Sequence, residues 1–529
     1  MSDLSLSTDV LVIGGGMAAA WAAISAAREG ADVTLADKGY LGTSGVTATG
    51  GPNHWWVSPE PGKREAAIED RFARGYGLAD REWMARIIEE TWRALPELAQ
   101  FYPFGGDGRG GTFYAGVRGP EYMRALRRYA VVSGVRILDH HPALELLLDR
   151  DGAVVGAAGY ARIDRRSWTI RAGATILATG GCGFRAGLIG SHGNTGDGYL
   201  MAAEAGAELS GMEFTASYSL SPAWNSTRTL PYFAARFFDE SGTELDIPPP
   251  RSEANHQKAL AAAMMAGPVF ADLGDAPELL KKILRRIQPA TLTPFERKNV
   301  NLFKDRFEVK LFGEGTIRGI GGLRIIDDQC RTTVDGLYAA GDAATRELIA
   351  GATSGGGAQN SAWALTSGRI AGKAAAQRAI GRGSFPDFTP AGTVGLRPTA
   401  NVRPVDQHTI VKDVQAQTIA YDKAFWRSAT TLSASRIVLD DWWQELAGHS
   451  HASGLDQVAL RETAAMTATA RWSVAAALER TESRGMHMRV DAPTSNPQQA
   501  SRLLTGGLDT LWTRYERQGA NIPLTEIAA

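Results

Sequence analysis

Residues 9–37 read DVLVIGGGMAAAWAAISAAREGADVTLAD, and the fold turns on them. Val10–Ile13 is a continuous apolar run, the pattern of a short strand buried on both faces. Gly14, Gly15 and Gly16 follow, then small helix-forming residues as far as Arg28. Gly30 ends that helix, and Val33–Ala36 reads as a second strand. Gly14, Gly16 and Ala19 satisfy the pattern G-x-G-x-x-G/A. Gly14 allows the tight turn, Gly16 lets a pyrophosphate approach backbone N–H groups, and Ala19 keeps helix and strand close. Met17 and Ala18 open the helix, whose N-terminus offers partial positive charge to phosphates. Asp37 closes the second strand, where a carboxylate can accept a ribose hydroxyl. Strand, helix, strand and acid in this order predict a dinucleotide site, and leave FAD and NAD both open.

Composition bounds the rest. The chain has 529 residues, with 56 basic against 57 acidic side chains and a formal net charge of -1. That length implies two to four domains and a large core. The charge balance excludes a protein held to nucleic acid by bulk positive charge. No stretch approaches the roughly 18–20 apolar residues that cross a bilayer. The polar opening MSDLSLSTD lacks a basic-then-apolar leader, so a cytoplasmic protein without a membrane span is expected. Cys182 and Cys330 alone make neither a disulfide framework nor a metal cluster, and no metal site is expected. The 60 glycines show no G-x-y period and sit in a few clusters.

Three later clusters point to FAD. ATILATGGCGF (174–184) is an apolar strand ending in a glycine turn, which puts Ala178, Thr179 and Gly180 at the turn. TTVDGLYAAGDAA (332–344) is a strand that ends on Gly341 and Asp342. Both resemble the second and third signatures of two-dinucleotide-fold flavoproteins, in which that Asp binds the ribityl chain or pyrophosphate of FAD. Gly355, Gly356 and Gly357 then lead into a helix carrying Asn360 and Ser361. Its dipole suits the N1–C2=O edge of a reduced flavin.

Over nearly its whole length the sequence resembles the flavoprotein subunits of succinate dehydrogenase and fumarate reductase, with L-aspartate oxidase and the adenylylsulfate reductase alpha subunit. DKGYLGTSGVTATGG (37–51) looks like that family's flavin-wrapping segment, which implies cofactor contacts at Lys38, Thr43, Ser44, Gly50 and Gly51. GSHGNTGDGYLMAAEAGAELSGMEF (190–214) is similar to its N-T-G-D-G…M-E-F stretch, which implies Asn194, Thr195 and Asp197. IGGLRI (320–325) resembles its glycine pair, and RTESRGMHMRVDAP (480–493) its E-S-R-G-x-H-x-R-x-D-x-P run. The resemblance implies an α/β fold: a Rossmann-like, two-dinucleotide-type FAD domain in two parts (1–216 and 316–385). A capping insert (217–315) and a C-terminal helical domain (400–529) complete it.

The departures are as informative. In succinate dehydrogenase a histidine bonds covalently to FAD, and an ungapped alignment on Gly50 and Gly51 puts Ser44 there, so non-covalent FAD is expected. Family histidines fall at Ser217 or Tyr218 and at Ile317, and a substrate arginine falls at Ser354. Two carboxylates need cations or charge-assisted donors to leave water, so succinate and fumarate are poor candidates. Arg318, one residue from a lost histidine, is a candidate replacement or a surface arginine. In the family the insert delivers an arginine as proton donor. Arg285, Arg286 and Arg297 are candidates here, with Arg297 preferred because KKILRRI reads as a solvated helix face. Tyr218 is a further catalytic candidate. His54, Trp55 and Trp56 follow the flavin-wrapping segment and are read as an aromatic substrate pocket with Ser354, against the alternative of core packing.

FGGDGRGG (104–111) lacks a preceding strand and is a glycine loop, so no NAD(P)H domain is expected. The insert carries two helical stretches, HQKALAAAMMA and DAPELLKKILRRI. Beyond about residue 400, three- and four-residue apolar spacing predicts amphipathic helices. His487 and Arg489 are expected to hydrogen-bond the FAD domain, with Arg484 paired to a carboxylate. The leading reading is an FAD-dependent oxidoreductase that moves a hydride between a small organic substrate and FAD, with oxygen narrowly preferred as acceptor. The alternatives are the flavoprotein subunit of an electron-transfer complex, with a protein electron carrier as partner, and a flavin-binding protein without turnover. Oligomeric state stays open.

Overall fold

Val10–Ile13 forms the end of a longer strand, Leu4–Ile13, at the heart of an eight-stranded sheet. The computed structural model describes residues 3–108, 110–226, 230–250, 254–287, 289–354, 356–381 and 385–516. Leu4–Ile13 runs parallel to Val33–Ala36 on one side and to Arg166–Leu177 on the other, with Val10 opposite Val33 and Ala174. Arg136–Leu138 extends the sheet beyond Val33–Ala36. Val154–Ala161 pairs antiparallel with the first half of Arg166–Leu177, and Ala143–Leu148 pairs antiparallel with Val154–Ala161 in turn. Leu337–Ala339 takes its second half in parallel, with Leu337 opposite Thr175. Helices Met17–Arg28 and Gly356–Ala379 pack against one another beside this sheet. They meet backbone to backbone, because a Cβ at Gly368 would lie 2.5 Å from the Ala18 carbonyl oxygen and one at Gly372 2.2 Å from that of Ala22. The small side chains of GMAAAWAA and SGRIAGKAA are therefore a packing requirement.

A second hydrophobic core lies in the segment after Phe214. Four antiparallel strands, Tyr218–Pro222, Phe307–Gly313, Val269–Asp272 and Arg236–Phe238, form its sheet in that order. Phe237, Leu260, Phe295, Phe307 and Leu311 fill it, joined by Phe425 from far downstream. Helices Ala254–Ala266 and Glu278–Ile287 match the two stretches read from sequence. The strands were not anticipated, although FEVKLFG alternates buried and exposed as a half-buried strand should.

The C-terminal part is built on helices Gln407–Thr418, Ala429–His449 and Gly454–Glu479. A capping box between Ser428 and Thr431 starts the second. The region is not wholly helical. Leu503–Gly506 and Trp512–Tyr515 form a hairpin that joins Leu209–Ser210 and Gly322–Leu323 in one sheet. Buried ions dock this part: Arg480 Nε lies 2.7 Å from Glu213 Oε1, and its Nη1 lies 2.9 Å from Glu482 Oε1. Arg484 pairs with Glu482 at 2.6 Å and donates to the Tyr76 carbonyl. The bonds of His487 and Arg489 stay within the C-terminal part: His487 Nδ1 accepts from Arg427 at 2.9 Å, and Arg489 pairs with Asp491 at 2.7 Å. Arg427, Arg480 and Arg484 make the docking bonds assigned to His487 and Arg489 from sequence. Among the described residues, no helix is long and apolar enough to cross a membrane.

Glu347 lies beside this network, fully buried, and takes the hydroxyl of Ser210. Burial first, and the nearby Glu213 carboxylate second, push its pKa up from 4.5 to about 7. A carboxyl that keeps its proton longer when folded stabilises the fold fully below the unfolded pKa, and that contribution is lost as pH rises through the folded pKa. Glu347→Gln, which cannot ionise, is expected to match the wild type near the unfolded pKa. Above pH 7 it should exceed the wild type by on the order of 3 kcal/mol, measured by denaturant unfolding across pH. A wild-type curve parallel to that of the variant would contradict this.

Candidate functional site

The carboxyl ends of Leu4–Ile13, Val33–Ala36, Arg166–Leu177 and Leu337–Ala339 meet at a cavity of about 690 Å³. That size lies within the roughly 300–1,000 Å³ of cofactor sites. Gly14 makes the first turn with φ +126°, and a Cβ there would lie 2.3 Å from the Ala178 carbonyl oxygen. Gly16, Met17 and Ala18 line the cavity at the helix start, whereas Ala19 is fully buried between helix and sheet. A Cβ on Gly16 would meet nothing nearer than 3.9 Å, so the backbone is bare on that side.

Asp37 lines the cavity and is nearly buried, and the Ser44 hydroxyl donates to it. Burial pushes the Asp37 pKa up, against the pull of the Ser44 and Gly39 hydrogen bonds. Ser44 is thus directed at the acid that closes the second strand. Lys38 Nζ sits 2.9 Å from Thr195 Oγ1, 2.6 Å from Asp197 Oδ2 and 3.0 Å from Glu462 Oε1. Burial opposes the Lys38 charge, but Asp197 and Glu462 outweigh it and hold its pKa above the ordinary value. Arg162 and Arg185 reach the same Glu462 at 3.3 and 2.6 Å. Thr195 supports Lys38 and Asp197 without lining the cavity itself.

On the opposite wall, Gly341 and Asp342 follow Leu337–Ala339. The Gly341 N–H donates to Ser367 Oγ at 2.9 Å and its carbonyl accepts from Trp363 Nε1 at 2.8 Å, so helix Gly356–Ala379 fixes this turn. Arg346 pairs with Asp342. Gly357, Asn360 and Ser361 line the cavity at the start of that helix; Gly356 precedes them, and Gly355 lies outside the described residues. Thr43, Gly50, Gly51, Ala178, Gly180 and Asn194 complete the expected lining. Thr179 Oγ1 and Asn360 Oδ1 are buried without a hydrogen-bond partner among the described residues, and both residues line the cavity. Bare backbone along the wall, a helix N-terminus and two orphaned polar atoms fit a long dinucleotide.

The other candidates divide. Arg318 and Ile317 line the cavity; Arg318 is about a third exposed and its Nε lies 3.6 Å from Glu314 Oε2. Tyr218 does not line it. Its ring packs against Tyr421 and Phe425 and its hydroxyl donates to the Ile419 carbonyl at 3.0 Å, so it belongs to the insert core. Arg297 is exposed at the end of its helix and also away from the lining, and the side chains of Arg285 and Arg286 lie outside the described set. His54, Trp55 and Trp56 do not form a pocket wall. His54 is bonded to Tyr122 and Ala115, and burial pushes its pKa down to about 4, which keeps it neutral. Trp55 is core, and Trp56 stacks on Trp92 at 4.1 Å. Ser354 accepts from the Gly356 N–H at 3.4 Å and is likewise outside the lining. Sequence reading missed Gly45, Thr47, Asn53, Arg162, His192 and Glu462, all on the cavity. His192 lies inside the quoted G-S-H-G-N-T-G-D-G run and was within reach; Arg162 and Glu462 had no local signal.

Two family models match the chain: an FAD binding domain over residues 9–268 and a fumarate reductase flavoprotein C-terminal region over residues 434–515. One fumarate reductase (CoM/CoB) subunit, that of Methanothermobacter marburgensis, is 26% identical, over 93% of this chain and 95% of that protein. L-aspartate oxidase of Mycobacterium leprae is 28% identical, over 94% and 95%. The structure of Mycobacterium smegmatis Sdh1 superposes with a TM-score of 0.82 at 22% identity, covering 98% of this chain and 96% of that one. Adenylylsulfate reductase from Archaeoglobus fulgidus superposes with a TM-score of 0.77 at 19% identity, covering 98% and 97%. The structural matches establish the fold, and the family models with the full-length relatives establish FAD as the cofactor. The chain belongs to the succinate dehydrogenase/fumarate reductase flavoprotein family of FAD-dependent oxidoreductases.

Proposed function

We propose that this oxidoreductase moves a hydride between a small organic substrate other than succinate or fumarate and an FAD held without a covalent bond. The cavity's cations carry this reading. Lys38, Arg162, His192 and Arg318 are the basic side chains among its described lining residues. Lys38 and Arg162 are committed to Asp197 and Glu462. His192 is exposed, on the run that also carries Asn194 and Asp197. Arg318, held more loosely at 3.6 Å from Glu314, is the guanidinium assigned to substrate, and a dicarboxylate leaves water only with cationic or charge-assisted partners for both ends.

When bound, the flavin supplies the hydride chemistry. Gly14, Gly16 and the helix N-terminus at Met17 would hold its pyrophosphate, and Asp37 a ribose hydroxyl. Asp342 would hold the ribityl chain. The N-terminal turn of Gly356–Ala379 places partial positive charge at the wall formed by Gly357, Asn360 and Ser361, favouring a negatively charged ring. Arg318 orients an anionic substrate group through its guanidinium, which offers donors and no acceptor. Non-covalent attachment is supported by the lining, in which Ser44 is occupied by Asp37 and His192 is the single histidine among the described residues.

Acid precipitation of the purified protein is expected to leave all yellow colour in the supernatant, and a yellow pellet would refute non-covalent attachment. Under anaerobic conditions, excess succinate should leave the visible flavin band unbleached, and fumarate should not reoxidise the photoreduced protein. Turnover with either would place a dicarboxylate site back in this cavity. On admission of air the reduced flavin should reoxidise promptly. Slow reoxidation would favour the reading as one component of an electron-transfer complex, which the name of the Methanothermobacter relative also supports.

A further inference from the structure

Arg346 is almost fully buried, at 1% exposure, and divides its donors between two parts of the cavity wall. One nitrogen pairs with Asp342 Oδ1. The other donates to the carbonyls of Thr316 at 2.9 Å and Ile317 at 3.0 Å, and to that of Gly319. Its own backbone N–H donates to the Ile320 carbonyl at 3.0 Å. Tyr199 runs beside it, donating to the Asp342 carbonyl at 2.7 Å while lying 3.1 Å from Thr316 Oγ1. Ile317, Arg318 and Asp342 all line the cavity.

From this we infer that Arg346 is a positioning residue that couples FAD occupancy at Asp342 to the order of the 316–319 turn, and so to the placement of Arg318. The inference rests on the reading above, that Asp342 holds FAD and Arg318 meets substrate. Its physical basis is the planar fork of a guanidinium, which holds a carboxylate on one edge and several carbonyls on the other; an ammonium offers no such span. A ligand that fixes Asp342 fixes the fork, and the fork fixes the turn. Linkage requires the reverse as well: an ordered turn tightens FAD.

The test compares wild type, Arg346→Met, Arg346→Lys and Arg318→Met as full-length protein, with FAD removed and then restored to saturation. Hydrogen exchange over residues 314–320 reads the turn, and the shift of the flavin spectrum on titration with acetate reads the anion site. In wild type, FAD should slow exchange over 314–320 by about tenfold, within the range usual for coupled sites. In Arg346→Met that FAD-dependent protection should vanish even at saturation, with FAD and acetate each bound about tenfold more weakly. Arg346→Lys keeps the charge at Asp342. It should recover the part of the FAD affinity that comes from the charge pair with Asp342 while the protection and the acetate affinity stay lost, a split that general destabilisation does not produce. Should Arg346→Met fail to fold, the lysine variant decides alone. Wild-type protection in the Arg346 variants would overturn the inference. An acetate shift unchanged in Arg318→Met, with wild-type protection intact, would instead refute the placement of substrate at Arg318.

Discussion

Three backbone hydrogen bonds tie four strand ends into one row, and the cavity exists because that row is tight. Gly14 N–H donates to the Ala36 carbonyl at 2.9 Å, Ala178 N–H to Ile13 at 2.9 Å, and Ala340 N–H to Leu177 at 3.0 Å. The turns that leave these strands are pressed together at their carboxyl ends, the place where open α/β sheets bind ligands. Only a residue without a Cβ fits at Gly14, facing the Ala178 carbonyl. A side chain there would part the first strand from Arg166–Leu177, and both walls of the site would move with it. The buried Val10–Ile13 run and the packing of the two small-residue helices serve the same end, since they hold the row flat and close.

Charge is handled differently in the two halves of the molecule. At the cavity, Lys38, Arg162 and Arg185 converge on Glu462, a residue of the long C-terminal helix, so that a distant part of the chain reaches a site whose first wall comes from the first forty residues. At the docking face, Arg480 lies between two fully buried carboxylates, Glu213 and Glu482. Such an arrangement adds little net stability relative to apolar packing, but removing one partner leaves an uncompensated buried charge and costs about 3–5 kcal/mol. The same C-terminal part also carries Glu462 to the cavity.

What was legible in the sequence follows from range. The turn at Gly14–Gly16, the acid at Asp37 and the Gly341–Asp342 turn are local devices in which neighbouring residues impose the geometry, and each lines the cavity. Positions that depend on a distant partner are not legible in the same way. Trp56 reads as pocket because it follows the flavin-wrapping segment, but Trp92, from helix Arg81–Glu97, stacks on it and withdraws it. Tyr218 reads as catalytic from its distance to M-E-F, but the insert has its own core, completed by Phe425, and that core claims the ring. Glu462 and Arg162 carry no motif, because their roles arise only when the sheet and the long helix meet. The short strands of the insert are readable from alternation, but helix Glu278–Ile287 beside them carries the stronger periodic signal.

Ser44 shows how a single substitution can be consistent with its whole surroundings. Aligned by sequence it occupies the position of a residue that bonds covalently to flavin, yet its hydroxyl is turned to Asp37. Burial alone would favour a protonated Asp37, and the Ser44 and Gly39 hydrogen bonds work against that. An ionised Asp37 accepts a ribose hydroxyl better than a protonated one, because a charged acceptor makes the stronger bond. The serine hydroxyl therefore serves the acid that closes the second strand.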